Sequence, residues 1–272
     1  MTGYASIPSA HVVRTREAQV LVRGWAGGES AGLTSSDLVG RGAAHAFGRP
    51  EGRFRFVEST ASRDGSVPEG SPVEPPPGWS ELQAHPGWEW FQLAGIKALL
   101  EVEWGLDRTP EHRYGSVELR RELAVREWLR AHPLQAAELK DIILAEEYAS
   151  LREYVEDACI EAGVPPPVHL RYGNWGPLSA KAMRDLVDAV PSANTWSTLR
   201  FLKHRDANLP WEQHDWTDLW ALSVAIPYCD VVVTERRWAH LATIGGLSRR
   251  YGTTVSSGWR AIENELARVV DV

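Results

Sequence analysis

Apolar positions recur at helical spacing through most of the chain after residue 88, whereas the first fifty residues carry little pattern. The longest helical stretch runs from Leu134 to Ala162. Leu139, Ile142, Ile143, Leu151, Val155 and Ile160 mark its apolar side, and Gly163 followed by Pro165, Pro166 and Pro167 ends it. Its many acids, from Glu138 to Glu161, read as a solvated face. Two shorter helices are expected before it, at Trp88 to Trp104 and at Val117 to His132, with Pro133 as the break.

From Leu178 the period alternates. Helices are expected from Ser179 to Ala189, from Ser192 to Lys203 and from Asp215 to Ile226, the last stopped by Pro227. The β-branched run CDVVVT then predicts a strand ending at Thr234. A helix from Arg236 to Tyr251, the strand GTTVSS and a helix from Trp259 to Val269 complete the chain. Helices interleaved with short strands at this spacing predict an α/β fold, with a short parallel sheet flanked by helices.

Before residue 80 the expectations are sparser. A strand at Val20 to Val22, a helix from Ser35 to Phe47 and a strand in RFRFVEST are the elements the pattern supports. Residues 62–78 (SRDGSVPEGSPVEPPPG) read as a linker, because proline removes donors and the composition is polar. The expected organisation is a poorly patterned N-terminal region over 1–80 with this Pro-rich linker, then a helical segment and α/β core over 81–272.

Composition narrows the function classes. With 272 residues and 43% hydrophobic content the chain can bury a substantial core. Thirteen Trp against two Met point to a core built from large aromatics. The net charge of −7 does not describe a broad nucleic-acid binder, although local basic patches beside a carboxylate site remain compatible with it. Cys159 and Cys229 are expected as buried free thiols, which leaves no disulfide framework and no cysteine zinc site. The N-terminus lacks an apolar leader and no stretch is long enough to span a membrane, so a cytoplasmic protein without a membrane partner is expected. Walker, dinucleotide and nucleophile-elbow motifs are absent.

Chemistry concentrates in HDWTDLWALSVAIPYCDVVVTERRWAHL, residues 214–241. Asp215 and Asp218, three apart at a helix start, share a face, and the positive end of the helix dipole favours their ionised forms. The strand that follows brings Glu235 to its carboxyl end, where open parallel sheets form their sites. Basic residues flank the segment, among them Arg205, Arg236 and Arg237, and read either as contacts for phosphates or as surface pairs that balance an acidic chain.

This segment resembles the closing half of the PIN-like family of metal-dependent nucleases. Asp218 opens a helix of small and apolar residues, and VVVT closes a strand that ends sixteen residues later. The resemblance covers roughly residues 178–270. It implies a three-layer α/β fold with a helical insertion. It also implies carboxylates holding Mg²⁺ or Mn²⁺, here Asp218, Asp215 and Glu235, that serve hydrolysis of RNA phosphodiesters. Glu235 stands one position before the family's final acid, where this chain has Arg236. The family's N-terminal Asp has no clear counterpart, and Glu58 after RFRFV is the nearest acid. By the same resemblance the protein is expected to act as a toxin or defence effector, with RNA and an antitoxin-type protein as partners. The competing expectation is a non-catalytic PIN-like module that binds RNA or a protein.

Overall fold

A computed structural model describes residues 5–28, 32–48, 74, 79–83, 88, 92, 109–166 and 180–270. In chain order these form β1 (Ala5–Ser6), α1 (Ala10–Trp25), α2 (Ser35–Leu38), β2 (Gly40–Arg41), α3 (Gly42–Phe47) and α4 (Trp79–Gln83). There follow α5 (Thr109–Ala131), α6 (Ala136–Ala162), α7 (Ala180–Ala189), α8 (Pro191–Arg205) and α9 (Asp215–Tyr228). The chain closes with β3 (Val231–Val233), α10 (Arg236–Ile244), α11 (Leu247–Tyr251), β4 (Thr254–Ser256) and α12 (Arg260–Val270).

The chain divides into two compact units, Met1–Ser9 with Val39–Leu123, and Ala10–Leu38 with Ala124–Val272. In the first, β1 and β2 form an antiparallel pair with Ala5 opposite Arg41, and α3 follows directly. Gly48 closes α3 in the left-handed region at φ 67°. The second unit holds α1, α2, α6 to α12, β3 and β4.

Its core lies between α1, α6, α7 and α8. Ala18 and Val22 of α1 meet Leu144, Tyr148, Leu151, Val155 and Cys159 of α6, and Leu186, Val187 and Ala193 close the other side. Helix α6 forms where its sequence demands. The Glu138 carboxylate accepts the Gln135 N–H at 2.8 Å, and Gly163 stops the helix in the left-handed region at φ 64°.

Helix α1 replaces the strand expected at Val20 to Val22. Its buried residues are Ala10, Val13, Arg14, Glu17, Ala18 and Val22, a stripe at helical spacing. Two members of that stripe, Arg14 and Glu17, are polar residues, so the apolar signal is broken in the sequence although the buried face is continuous. Arg14 pairs with Glu147 at 2.6 Å and lies over the Trp196 and Trp220 rings. Glu17 accepts hydrogen bonds from the Ser192 N–H at 2.9 Å, the Ser192 hydroxyl and the Tyr228 hydroxyl, and so ties α1 to the start of α8 and the end of α9.

Helix α8 is buried along almost its whole length, including Ser192, Asn194, Arg200 and Lys203. Pro191 at its first turn costs no hydrogen bond there. Helix α9 continues through Pro227 to Tyr228, because proline in the last turn frees only a carbonyl near the helix end. The helix expected from Arg236 to Tyr251 divides at Gly245 and Gly246, where Gly246 takes φ 70°. The expected helix from Ser35 to Phe47 is likewise divided, into α2 and α3 by β2.

The α/β expectation is overturned. The described residues are 72% helix and 5% strand, with two two-stranded sheets among them. The two C-terminal strands do form and do run parallel, Val231 opposite Thr254 and Val233 opposite Ser256. Among the described residues no further strand joins them. A three-residue parallel pair cannot organise helices into layers. The packing is set instead by helix-period stripes on α1, α6 and α8, and the pair sits at the margin against α9, α10 and α12. The PIN-like three-layer fold with a parallel sheet is therefore not built. The strand expected in RFRFVEST and the linker over 62–78 lie outside the described residues, as does most of the helix expected from Trp88 to Trp104. Among the described residues no helix is long and apolar enough to cross a membrane. Cys159 is buried and Cys229 half-buried, and both are free thiols.

Burial holds the Glu17 carboxyl above its usual 4.5, against the hydrogen bonds from Ser192 and Tyr228, which pull it down. The folded protein therefore keeps a proton that the unfolded chain has released. Stability drawn from Glu17 is present in acid and falls as pH rises above about 4.5, through the folded value. Urea midpoints measured from that pH towards neutrality should show this fall in the wild type and a shallower one in Glu17→Gln. Parallel profiles would mean that Glu17 is ionised in the folded state.

Candidate functional site

The start of α9, the end of α8 and the start of α10 converge on one cluster of charged side chains. Asp215 lies at its centre and is 0% exposed. The Asp215 carboxylate pairs with Lys203 of α8 at 2.8 Å and with Arg237 of α10 at 2.9 Å, and accepts the Glu212 N–H at 2.5 Å. Lys203 is itself only 1% exposed and sits over the Trp211 and Trp238 rings, 5.1 and 4.8 Å from their centroids. The rings give the ammonium an electron-rich wall in place of water. Burial lowers the Lys203 ammonium pKa from its ordinary value, and Asp215 opposes that shift.

Arg237 gathers the remaining acids. Its guanidinium reaches Glu212 at 2.9 Å, Glu235 at 2.8 Å and the Nε2 of His214 at 2.8 Å. Arginine only donates, so the contact with His214 takes the Nε2 lone pair and leaves the ring proton on Nδ1. Glu212, beside the same guanidinium, is held below the usual carboxylate range by its hydrogen bond from Arg237. Asp218, one turn after His214, accepts the indole N–H of Trp238 at 3.0 Å through one oxygen.

The sequence-predicted acids are thus partly reunited. His214, Asp218 and Glu235 offer ligand atoms that lie within 4.8 Å of one another, and so do Glu212, His214 and Asp215. Asp215 faces inward to Lys203 and Arg237 and is already neutralised there. His214 stands in the more open position beside Asp218 and Glu235. Glu58 lies outside the described residues. Of the three arginines expected to meet phosphate, Arg237 is inside the cluster and Arg236 is exposed at the start of α10. Arg205 lies over Phe201 and lines a cavity that shares no lining residue with the cluster.

Two members of the site are not obvious from the sequence. Lys203 reads as one of several surface cations until α8 is seen to be buried. His214 reads as a lone histidine, yet its spacing of four from Asp218 puts both on one side of the helix start, a signal that was present.

The donor set bears on the ion that the resemblance implies. Four carboxylates (Glu212, Asp215, Asp218, Glu235) face two fixed cations (Lys203, Arg237), which leaves two negative charges uncompensated. A carboxylate oxygen of Asp218 and one of Glu235, with the His214 imidazole where its Nε2 exchanges Arg237 for the ion, match a divalent cation that tolerates nitrogen. Mn²⁺ or Zn²⁺ suits this mixture better than Mg²⁺, which prefers oxygen throughout. No family model matches the chain, and neither a curated protein nor a solved structure matches it.

The buried Lys203–Asp215 pair should be costly to break and cheap to replace. Lys203→Met alone leaves Asp215 with Arg237 only, and Asp215→Leu alone strands a buried ammonium. Each should destabilise by about 3–5 kcal/mol. The double variant should recover much of that loss in urea unfolding. A double variant as unstable as the sum of the two would mean that Lys203 and Asp215 act independently of each other.

Proposed function

We propose that the chain is a metal-dependent phosphodiesterase acting on RNA, with His214, Asp218 and Glu235 as ligands of a divalent cation. The observation that carries this reading is the approach of those three ligand atoms to within 4.8 Å of one another, in a cluster with two uncompensated negative charges. Phosphodiester chemistry is drawn from the likeness of residues 214–241 to the nuclease motif, not from the fold. A bound cation of this kind would polarise a phosphoester and lower the pKa of a water.

The chain's own residues would do the rest. Trp238 fixes the Asp218 carboxylate by donating to one of its oxygens. The Lys203–Asp215 pair holds α8 against α9, and Arg237 steadies Glu235 and occupies the His214 Nε2 that a bound cation would take over. Arg236, exposed at the start of α10, is positioned to attract a polyanion. A role as a toxin or defence effector, restrained by a partner protein, fits such an activity.

One observation favours a second reading, a non-catalytic module that binds RNA or protein. Arg237 already contacts Glu212, Asp215, Glu235 and His214, and a guanidinium in that position serves as a permanent counter-ion. The two readings part in one experiment. Mn²⁺ binding is measured by calorimetry and cleavage of single-stranded RNA is followed with Mn²⁺ added, in wild type, Asp218→Ala and Glu235→Ala. The enzyme reading expects both activity and Mn²⁺ affinity to drop by at least about 100-fold in each variant. Wild type that takes up no Mn²⁺, or cleaves as slowly as Asp218→Ala, would favour the module.

A further inference from the structure

A second site lies away from the acid cluster. Helices α6, α7 and α8 with the α10–α11 turn enclose a cavity of about 350 Å³, within the range of small-ligand sites. Its charge runs against that of the chain. Lys140, Arg184, Arg205 and Arg250 line it against the single carboxylate of Asp188, in a protein whose net charge is −7.

That carboxylate is already occupied. Asp188 accepts Asn194 Nδ2 at 2.6 Å and Arg250 Nη1 at 3.3 Å, while Arg250 Nη2 reaches the Asp188 carbonyl at 2.9 Å. The other cations are less committed. Arg184 meets Asp141 only at 3.7 Å, with both half-exposed, and Arg205 rests on the Phe201 ring with its centroid 5.6 Å away. Lys140 is exposed at the first turns of α6. Positive potential therefore faces the cavity from three helices.

The remaining walls are of two kinds. Ile143, Leu144 and Leu202 present hydrocarbon, and Ser197 and Thr198 add small polar side chains. At Gly245 the wall is bare backbone. A Cβ there would meet Thr198 Cγ2 at 2.8 Å and Leu202 Cδ1 at 3.0 Å, so a side chain at this turn would push on α8.

We propose that this cavity binds a small phosphorylated ligand of mononucleotide size. Lys140, Arg184 and Arg205 meet the phosphate, and Ile143, Leu144 and Leu202 cover the ring. Charged donors on a phosphate supply orientation and most of the affinity, and the apolar wall selects against bare phosphate and sugar phosphates. The site shares no residue with the acid cluster and does not depend on a metal there.

Calorimetry on the full chain tests this with AMP and UMP, and with adenosine, ribose 5-phosphate and inorganic phosphate as comparisons. A mononucleotide should bind at least about tenfold more tightly than each comparison, the difference expected from charge-assisted hydrogen bonds on one side and ring burial on the other. Affinity should weaken as salt is raised. Lys140→Gln and Arg205→Gln, both at exposed positions that leave the core untouched, should each weaken binding about tenfold. Lys181→Gln, an exposed cation of α7 outside the cavity, should not. No mononucleotide binding, adenosine or ribose 5-phosphate binding as well as AMP, or cavity variants indistinguishable from Lys181→Gln would each overturn the assignment.

Discussion

A single buried carboxylate, Asp215, holds three helices in register. It is fully enclosed at the start of α9, faces Lys203 from α8 and Arg237 from α10, and caps the chain that enters its own helix. A charge removed from water is tolerated only where its partners are fixed. Those partners are fixed here because α8 is buried along almost its whole length and because Trp211 and Trp238 wall the Lys203 ammonium. With Asp215 neutralised inward, His214, Asp218 and Glu235 are left grouped at the more open side. The candidate site is a consequence of that division.

The same device recurs across the unit. Arg14 is buried over Trp196 and Trp220 and paired with Glu147, and Glu17 is buried among hydroxyl and amide donors. The abundance of tryptophan thus has a specific use. Indole rings supply apolar area to the core and a negative face to the cations it encloses. Not every Trp serves this way: Trp25, Trp128 and Trp259 are exposed.

Acid cluster and basic cavity divide the electrostatics of the protein into two opposite regions. The first has a surplus of carboxylates and suits a cation. The second has a surplus of guanidinium and ammonium groups and suits an anion. An overall charge of −7 conceals both, because a net value averages patches that act separately.

Much of the local structure was legible in the sequence. Helix α6, with its glycine and proline stop, and the strands Val231–Val233 and Thr254–Ser256 follow from periodicity and turn chemistry. The grouping of Asp218 with Glu235 was legible in their spacing about one helix and one strand. The architecture was not. A β-branched run specifies a strand but not how many partners it finds, and these two strands find only each other among the described residues. Helix α1 was hidden because Arg14 and Glu17 lie on its buried face, and only Glu147, Ser192 and Tyr228, each well over a hundred residues away in the chain, make that burial tolerable. Lys203, Asp215 and Arg205 likewise took their roles from the packing around α8. Sequence by itself determined most of the helices and strands from α5 onward and where charge accumulates. The tertiary structure decided which charges are buried, because burial depends on partners that no local pattern records.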